Sequence, residues 1–387
     1  MITGVRFSAL VVAAALFLVT GAVNLQVPLY QAYAEAAGYG NGLTAVVFAA
    51  YVAGLLPVLI LIGGVSDRVG RKPVVLVGLL SAVLASVLVA ASPTIQALLF
   101  ARVLQGIGVG LSVGAGTAYL AEILGGPEGP TRAASYVAAT TSVGFGTGAL
   151  LTTGSLFYEG RTLVPTSYFM LPALALVCAA LVAVLPPARR SAGGRVLRLP
   201  HYPPGTVVVG ATIALAWAVT GLVIAVVPAQ LMRYDLAAWA GPALFLVNGT
   251  GALLQPVARR MAPRLALRVG FVLLPSGYAV LILGAWLGAL GLVLAGAAIA
   301  GAACYGFTYL GGLAEVSRAG GEQRARAVSG YFLFAYLGFG LPSVLIGFAA
   351  DGVGVLGALV GSGAVVLAGS CALAFVLKPG KSTVSPD

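Results

Sequence analysis

The chain has 387 residues, of which 60% are hydrophobic and only 8% are charged. A soluble domain carries about 25% charged residues, and this chain has too little polar surface to cover a water-soluble core of its size. Its formal net charge is +11, from 21 Lys and Arg against 10 Asp and Glu. This composition excludes a soluble globular protein and indicates a bundle of helices embedded in a membrane.

The apolar residues fall in blocks of about 20, the length that crosses about 30 Å of hydrocarbon as a helix. Strands of a membrane barrel would instead alternate apolar and polar residues over segments of about 10. Residues 74–91 and 211–227 show no such alternation. The 54 glycines fit helices that approach one another closely in lipid. We therefore predict an all-α polytopic membrane protein.

Twelve spans are predicted in chain order. Their ranges are 7–32, 42–62, 74–92, 95–120, 134–157, 166–187, 205–229, 238–258, 267–287, 290–312, 327–349 and 354–377. The first block follows a basic residue and ends near an Ala-Tyr-Ala sequence, as a signal peptide does. It is longer than the 7–15 apolar residues of a secretory signal, so we interpret it as the first span.

The basic residues predict the orientation. With the N-terminus inside, all but three of the 21 Lys and Arg fall on the cytoplasmic side; Arg161 and Arg233 fall outside, and Arg102 lies within a span. This is the distribution that the positive-inside rule requires. We predict that the protein lies in the cytoplasmic membrane of a bacterium and that both of its termini are in the cytoplasm. The basic surplus then indicates contact with anionic lipid of the bilayer and not with nucleic acid.

An internal repeat divides the chain. Residues 68–78 align with 260–270 at an offset of 192, and residues 132–135 align with 326–329 at an offset of 194. Both offsets are close to half the chain length. We predict a six-helix N-terminal half over 1–187, a cytoplasmic central loop over 188–204 and a six-helix C-terminal half over 205–387. Two similar halves around a midplane cavity are typical of transporters.

Two motifs carry a resemblance to a known family. The loop after the second span reads Gly63-Gly-Val-Ser-Asp67-Arg68-Val-Gly70-Arg71-Lys72, and the fourth span contains Arg102-Val-Leu-Gln105-Gly106. They resemble the two signatures G-x-L-A-D-R-x-G-R-K and R-x-x-Q-G of the major facilitator superfamily. The resemblance implies a secondary transporter of small molecules built from two pseudo-symmetric halves. We expect a monomer without a cofactor, and no His-based metal site, because His201 is the only histidine.

The loop motif implies a gate on the cytoplasmic side. Gly70 permits a tight turn, and an acid such as Asp67 is stabilised by a helix N-terminus or by an arginine. By resemblance, Arg71 bridges to Glu122 and Asp67 faces the start of the eleventh span. The gating candidates are Gly63, Asp67, Arg68, Gly70, Arg71, Lys72, Glu122, Arg132 and Arg326.

A charge inside a span is costly, so Arg102 is expected to face a cavity or to find a partner. Asn24 lies at a similar depth in the first span, and we predict that its amide oxygen accepts from Arg102. The alternative is an arginine that snorkels to the outer headgroups.

The central path of this family runs between spans 1, 4, 7 and 10, with spans 2, 5, 8 and 11 beside them. Polar and aromatic residues of these spans are the substrate-binding candidates: Asn24, Gln26, Tyr51, Arg102, Gln105, Trp217, Asn248, Tyr305, Tyr309, Tyr331 and Tyr336. All ten acids fall at predicted span ends or in loops. The cavity is therefore expected to prefer neutral or anionic solutes. If protons drive transport, the coupling candidates are Arg102 and Glu35.

The leading hypothesis is an exporter of amphipathic compounds, similar to the drug and metabolite efflux branch of the family. A facilitator or proton symporter for a sugar or an organic anion is the second, and a membrane sensor that transports nothing is a remote third. An enzyme is not expected, since no nucleophile and base stand in a recognisable motif.

The orientation gives a first prediction. A cysteine placed at Gly194 is expected to react with an impermeant maleimide only from the cytoplasmic side, and a cysteine at Gly160 only from the outside. Labelling of intact cells and of inverted vesicles compares the two. Outside labelling at Gly194 would contradict the predicted orientation.

Overall fold

A computed structural model describes residues 2–186 and 199–377. Residues 188–198 of the predicted central loop lie outside the described residues. The described chain is helical throughout and contains no strand. We number the spans 1 to 12. We call the side that carries residues 63–72 the inner side and the opposite side the outer side, following the orientation predicted from the charges.

The first six spans are mostly single helices. Span 1 comprises Ile2–Asn24, a 3-10 turn Val27–Leu29 and a short helix Tyr30–Ala36; spans 2 to 6 are Asn41–Leu61, Arg71–Ala91, Ile95–Leu124, Gly129–Glu159 and Ser167–Val184. A five-residue helix, Val65–Val69, lies between spans 2 and 3.

The last six spans follow the same plan. Span 7 comprises Thr206–Ala225 and Val227–Met232, span 8 is Ala240–Arg259, span 9 is Pro263–Leu287, span 10 comprises Leu290–Gly301, a π-helix Ala302–Thr308 and Tyr309–Ala319, and spans 11 and 12 are Arg324–Val353 and Val355–Val376. Single 3-10 turns, Ala237–Trp239 and Gly321–Gln323, precede spans 8 and 11. Several helices run beyond the predicted ends, because a helix can continue past the hydrocarbon into the headgroups.

Eleven of the described helices are long and apolar enough to cross a membrane. The remaining long helix, span 5, has 31 residues, so its length suffices. Its hydropathy is lowered by many Gly, Ser and Thr residues. Span 5 packs against span 1 and against span 8 of the other half, and a helix between other helices needs less apolar surface than one that faces lipid.

The packing repeats between the halves. Span 1 packs on span 5 and span 3 on span 4 in the first half, as span 7 packs on span 11 and span 9 on span 10 in the second. Glycines bring these helices together. A Cβ added at Gly54 would overlap the Val103 carbonyl, and one added at Gly106 would overlap the Tyr51 carbonyl. Spans 2 and 4 are therefore joined backbone to backbone, as small residues allow in lipid.

The two halves meet along spans 2 and 11 and along spans 5 and 8. At the outer end of the first pair, a Cβ added at Gly347 would lie 2.6 Å from the Cβ of Ala45. At the outer end of the second pair, a Cβ added at Gly241 would lie 2.7 Å from the Ala149 carbonyl oxygen. The halves are therefore in direct contact on the outer side.

The close contact between spans 2 and 4 gives a second prediction. Gly106→Ala is expected to lower stability by about 1–3 kcal/mol, because the added methyl must push two backbones apart. Gly154→Ala is the control, since a Cβ there meets nothing within 4 Å and alanine favours the helix. Thermal unfolding of both variants in one detergent measures the difference. Equal melting temperatures would contradict the packing described.

Candidate functional site

The inner loop between spans 2 and 3 has the geometry that its motif predicts. Gly70 adopts φ 99° and ψ 156°, a conformation that favours glycine, and joins the helix Val65–Val69 to span 3. The first residue of span 3, Arg71, donates from Nε to Glu122 Oε1 at 3.1 Å and also contacts the Asp67 carboxylate. Arg71 thus links the loop to the inner end of span 4 within one half.

The other gating candidates lie around this loop or on the second half. Lys72 Nζ donates to the Leu185 carbonyl at 2.7 Å, at the end of span 6. Arg326 donates to the Leu199 carbonyl of the central loop at 2.8 Å and to Gln323, in its own half, at 3.0 Å. Gly63 and Arg68 lie in the loop itself, and Arg132 is exposed at the start of span 5. Their gating role stays a prediction.

The second half contains a related ion pair that was not predicted from the sequence. Arg264 follows Arg71 by 193 residues, and Glu315 follows Glu122 by the same interval. Arg264 Nε lies 3.9 Å from Glu315 Oε1, and Arg318 donates to the other carboxylate oxygen at 2.7 Å. The predicted offset of 192 aligned Arg264 with Lys72, one residue out of register. An offset of 193 applied to Glu122 would have identified the pair.

Arg102 ties three spans together on the outer side of the midplane. Its side chain is fully buried. Nη1 donates to the Val23 carbonyl at 2.5 Å and to Gln105 Oε1 at 3.1 Å, and Nη2 donates to the Phe48 carbonyl at 3.0 Å. Gln105 in turn donates to Gln26 Oε1 at 2.9 Å. The snorkelling alternative is wrong, because the guanidinium is held inside the bundle.

The predicted contact between Arg102 and Asn24 is also wrong. Asn24 Nδ2 donates to the Phe145 carbonyl in span 5 at 2.8 Å. Because the first helix of span 1 ends at Asn24, carbonyls of its last turn lack intrahelical donors. The Val23 carbonyl therefore accepts from Arg102 in place of the amide. Pro28 has no N–H to donate to the Asn24 carbonyl and so indicates this helix end, but the span was predicted as one helix over 7–32.

Aromatic faces complete the environment of Arg102. Its guanidinium carbon lies 5.0 Å from the ring centre of Tyr51, 5.4 Å from Phe48 and 5.9 Å from Tyr30. Such distances permit cation–π attraction. Among the described residues, the Arg102 Nε has no hydrogen-bond partner. The positive charge is thus stabilised by carbonyl dipoles and aromatic faces.

An aromatic cluster joins the two halves beside this arginine. Tyr51 of span 2 lies 6.4 Å from Tyr336 of span 11, ring centre to ring centre. Trp217 of span 7 lies 5.0 Å from Tyr336 and 5.7 Å from Tyr305. Phe48 lies 4.7 Å from Phe339. The structure thus brings predicted binding residues from spans 2, 7, 10 and 11 into one cluster.

The π-helix of span 10 contains Tyr305. π-helices add a residue to a turn and frequently occur at functional sites. Within the same cluster, the Trp217 indole N–H has no hydrogen-bond partner among the described residues. This donor is available to a bound acceptor.

The candidates differ in exposure, and some lie apart from the centre of the cluster. Tyr331 is buried and donates to the carbonyls of span 10, while Asn248 is buried and donates to the Leu244 carbonyl of its own helix. Tyr309 and Tyr336 are part-exposed, unlike the other nine candidates. Glu35 is exposed at the outer end of the short helix that ends span 1.

Comparison with known proteins settles the family. The sequence model of the Major Facilitator Superfamily matches residues 12–318. The chain belongs to the major facilitator superfamily. It is therefore an integral membrane protein and a transporter, and proteins of this superfamily bind small-molecule substrates.

Two relatives of this major facilitator are both multidrug resistance protein MdtL. A stretch of 79 residues is 39% identical to the protein of Shewanella oneidensis, over 20% of each chain. A stretch of 65 residues is 40% identical to that of Klebsiella pneumoniae, over 17% of each chain. The match thus spans about a fifth of the length of these relatives.

Solved structures confirm the twelve-helix fold. The nucleoside transporter NupG is 14% identical, with a TM-score of 0.75 over 96% of this chain and 98% of that one. The human organic anion transporter MFSD10 is 18% identical, with a TM-score of 0.65 over 95% and 99%. The xylose transporter XylE from E. coli, in a partially occluded inward open conformation, is 14% identical, with a TM-score of 0.69 over 95% and 97%.

The contacts of Arg102 give a third prediction. Arg102→Met keeps a long apolar side chain but removes the charge and all three hydrogen bonds, so the Val23 and Phe48 carbonyls lose their donor. Each buried group left without a partner costs about 1–3 kcal/mol. Arg102→Lys keeps the charge without the forked geometry. Its stability and flux are expected to lie between those of the wild type and of the Met variant. Thermal unfolding and flux per folded molecule are measured for the three proteins. A Met variant with the melting temperature and the flux of the wild type would contradict the role of Arg102 in joining the spans.

Proposed function

We propose that this protein exports small amphipathic compounds, neutral or anionic, by alternating access. The observation that carries the proposal is the aromatic cluster of Tyr51, Trp217, Tyr305 and Tyr336, which both halves contribute. Aromatic faces suit flat apolar groups, and the free Trp217 N–H supplies one polar contact. The acids of the described segments lie in loops or near helix ends, so no carboxylate is placed in the cluster to attract a cation.

We further propose that the arrangement described is the inward-facing state. The outer ends of spans 2 and 11, and of spans 5 and 8, are in contact. Arg102, Tyr51 and Trp217 are buried beneath them. Tyr309 and Tyr336, together with Phe332, are part-exposed. These three side chains would form the ceiling of a cavity that opens to the inner side, and a substrate would meet them first.

The partial match to MdtL supports export, since those relatives are named as multidrug resistance proteins. It extends over a fifth of their length, so the activity comes to this chain as a proposal. We also propose that both termini are cytoplasmic, that the protein lies in a bacterial inner membrane and that it is a monomer. Proton coupling, if present, would run through Arg102 or through the exposed Glu35.

Transport of an organic anion or a sugar is the second candidate. The buried positive charge of Arg102 favours an organic anion over a sugar as the substrate. Arg102 has no carboxylate among its hydrogen-bond partners, and its Nε is unpartnered among the described residues. Its positive charge would attract a carboxylate that reached the cluster. The solved relatives named for nucleoside, xylose and organic anion transport share the fold and leave this choice open.

Flux in proteoliposomes tests the proposal and gives a fourth prediction. Amphipathic dyes, a sugar series and aromatic carboxylates are each compared with vesicles that lack protein, with and without a proton gradient. Saturable movement of amphipathic compounds out of the compartment that faces the inner side is expected. Movement of sugars alone, or of no compound at all, would contradict the exporter.

The same assay locates the site. Tyr336→Leu is expected to raise the half-saturating concentration of a transported aromatic compound about fivefold, because it loses one aromatic contact worth about 1 kcal/mol. Phe169→Leu is the matched control, since Phe169 is 59% exposed on span 6, away from the cluster. Equal effects of the two substitutions would show that the cluster does not bind the substrate.

A further inference from the structure

On the outer side, a carboxylate of the second half accepts hydrogen bonds from the first half. Asp351 lies near the outer end of span 11, and its Oδ1 accepts from the Asn41 backbone N–H at 2.8 Å. The same oxygen accepts from the Asn41 side-chain amide at 3.1 Å, and Oδ2 accepts from the Gly42 N–H at 2.9 Å. Asn41 and Gly42 are the first residues of span 2. One side chain of the second half thus makes three hydrogen bonds to the first half.

These hydrogen bonds cap the N-terminus of span 2. The first N–H groups of a helix have no intrahelical acceptor, and a negative charge is favoured there by the helix dipole. The N-cap of span 2 is Gly40, which has no side chain and makes no cap of its own. Asp351 therefore supplies from span 11 the cap that span 2 lacks.

The local sequence allows this approach. A Cβ added at Gly40 would lie 2.8 Å from Asp351 Oδ1, so any larger residue would crowd the carboxylate. Directly below, Gly42 lies against the ring of Phe348 from span 11. Small residues on span 2 thus admit two side chains of the other half.

Another outer acid makes a similar cap without crossing the bundle. Both oxygens of Glu159, at the end of span 5, accept from the Thr166 N–H just before span 6, at 3.1 and 3.0 Å. Both residues belong to the first half. The two acids therefore make similar bonds to backbone N–H groups, and they differ in whether those bonds join the halves.

We propose that Asp351 is a gating residue that holds the outer side closed by capping span 2 from span 11. Opening the outer side separates the two spans and must break all three bonds. The contact therefore favours the state with the outer side closed and sets its population against the outward-open state. The arrangement mirrors the expected inner gate, in which Asp67, after span 2, faces the start of span 11.

The proposal concerns the equilibrium of the protein without substrate, so it stands apart from the choice of substrate. The test places spin labels at Ser92→Cys and Leu287→Cys, exposed positions at the outer ends of spans 3 and 9. The background lacks the three native cysteines. Electron-spin distance distributions in lipid nanodiscs then give the ratio of closed to open outer sides.

Asp351→Asn removes the charge at nearly constant shape. A charge at an exposed helix end contributes a modest stabilisation, so the open-to-closed ratio is expected to rise about threefold. Asn41→Pro removes both Asn41 donors and leaves Asp351 intact. Proline is favoured at this first helical position, and Gly40 before it is extended, with ψ −172°, as proline requires. This variant is expected to shift the ratio in the same direction.

Glu159→Gln is the matched control and is expected to leave the ratio unchanged, because its bonds stay within one half. Thermal unfolding confirms that each variant is folded; if Asp351→Asn does not fold, Asn41→Pro decides the question. A folded Asp351→Asn or Asn41→Pro variant with the ratio of the background would overturn the proposal. An equal shift in Glu159→Gln would also overturn it.

Discussion

The hydrocarbon of the bilayer offers no hydrogen-bond partner, and the structure depends on this constraint. Each polar group inside the bundle has to be satisfied by protein. Arg102 shows how this is achieved, since its guanidinium reaches carbonyls of spans 1 and 2 and lies beside aromatic faces. Together with the backbone contact of Gly106 on span 2, these bonds join spans 1, 2 and 4 firmly. A half built in this way is suited to move as one body.

The contacts between the halves combine close backbone approaches, such as Gly241 against the Ala149 carbonyl, with contacts between side chains. On the outer side the side-chain contacts consist of aromatic rings such as Tyr51 and Tyr336, of small residues in van der Waals contact and of the Asp351 carboxylate. The side-chain contacts can be replaced by water or by a substrate when the halves separate, whereas the buried hydrogen bonds of Arg102 lie within one half and can persist. The division between firm and separable contacts is what alternating access requires.

Composition and motif were enough to predict the spans, the family and the loop around Gly70, because each depends on local sequence. The Asn24 contact was predicted wrongly because span 1 was taken as one continuous helix, although Pro28 cannot donate to the Asn24 carbonyl and the first helix ends at Asn24. The hydrogen bonds of Asp351 were missed because its partners lie far away in the sequence, and an acid predicted at a span end looks the same whether or not it contacts the other half. The pair of Arg264 and Glu315 was missed because the repeat was aligned one residue out of register. Tyr51, Trp217, Tyr305 and Tyr336 met in one cluster because they were chosen on spans 2, 7, 10 and 11, which the fold of the family places around the central path.

The central claim is that transport requires the outer ends of spans 2 and 11 to separate. Ala45→Cys and Gly347→Cys, combined in a chain without the native cysteines, would place two thiols across this interface. Their Cβ atoms would lie 2.6 Å apart, so the two spans need to move apart by about 1 Å to reach disulfide geometry. Flux is measured in proteoliposomes before oxidation, after oxidation and after reduction, with disulfide formation verified by mass spectrometry. We predict that the disulfide stops flux and that the reductant restores it. Undiminished flux in the fully cross-linked protein would contradict the account.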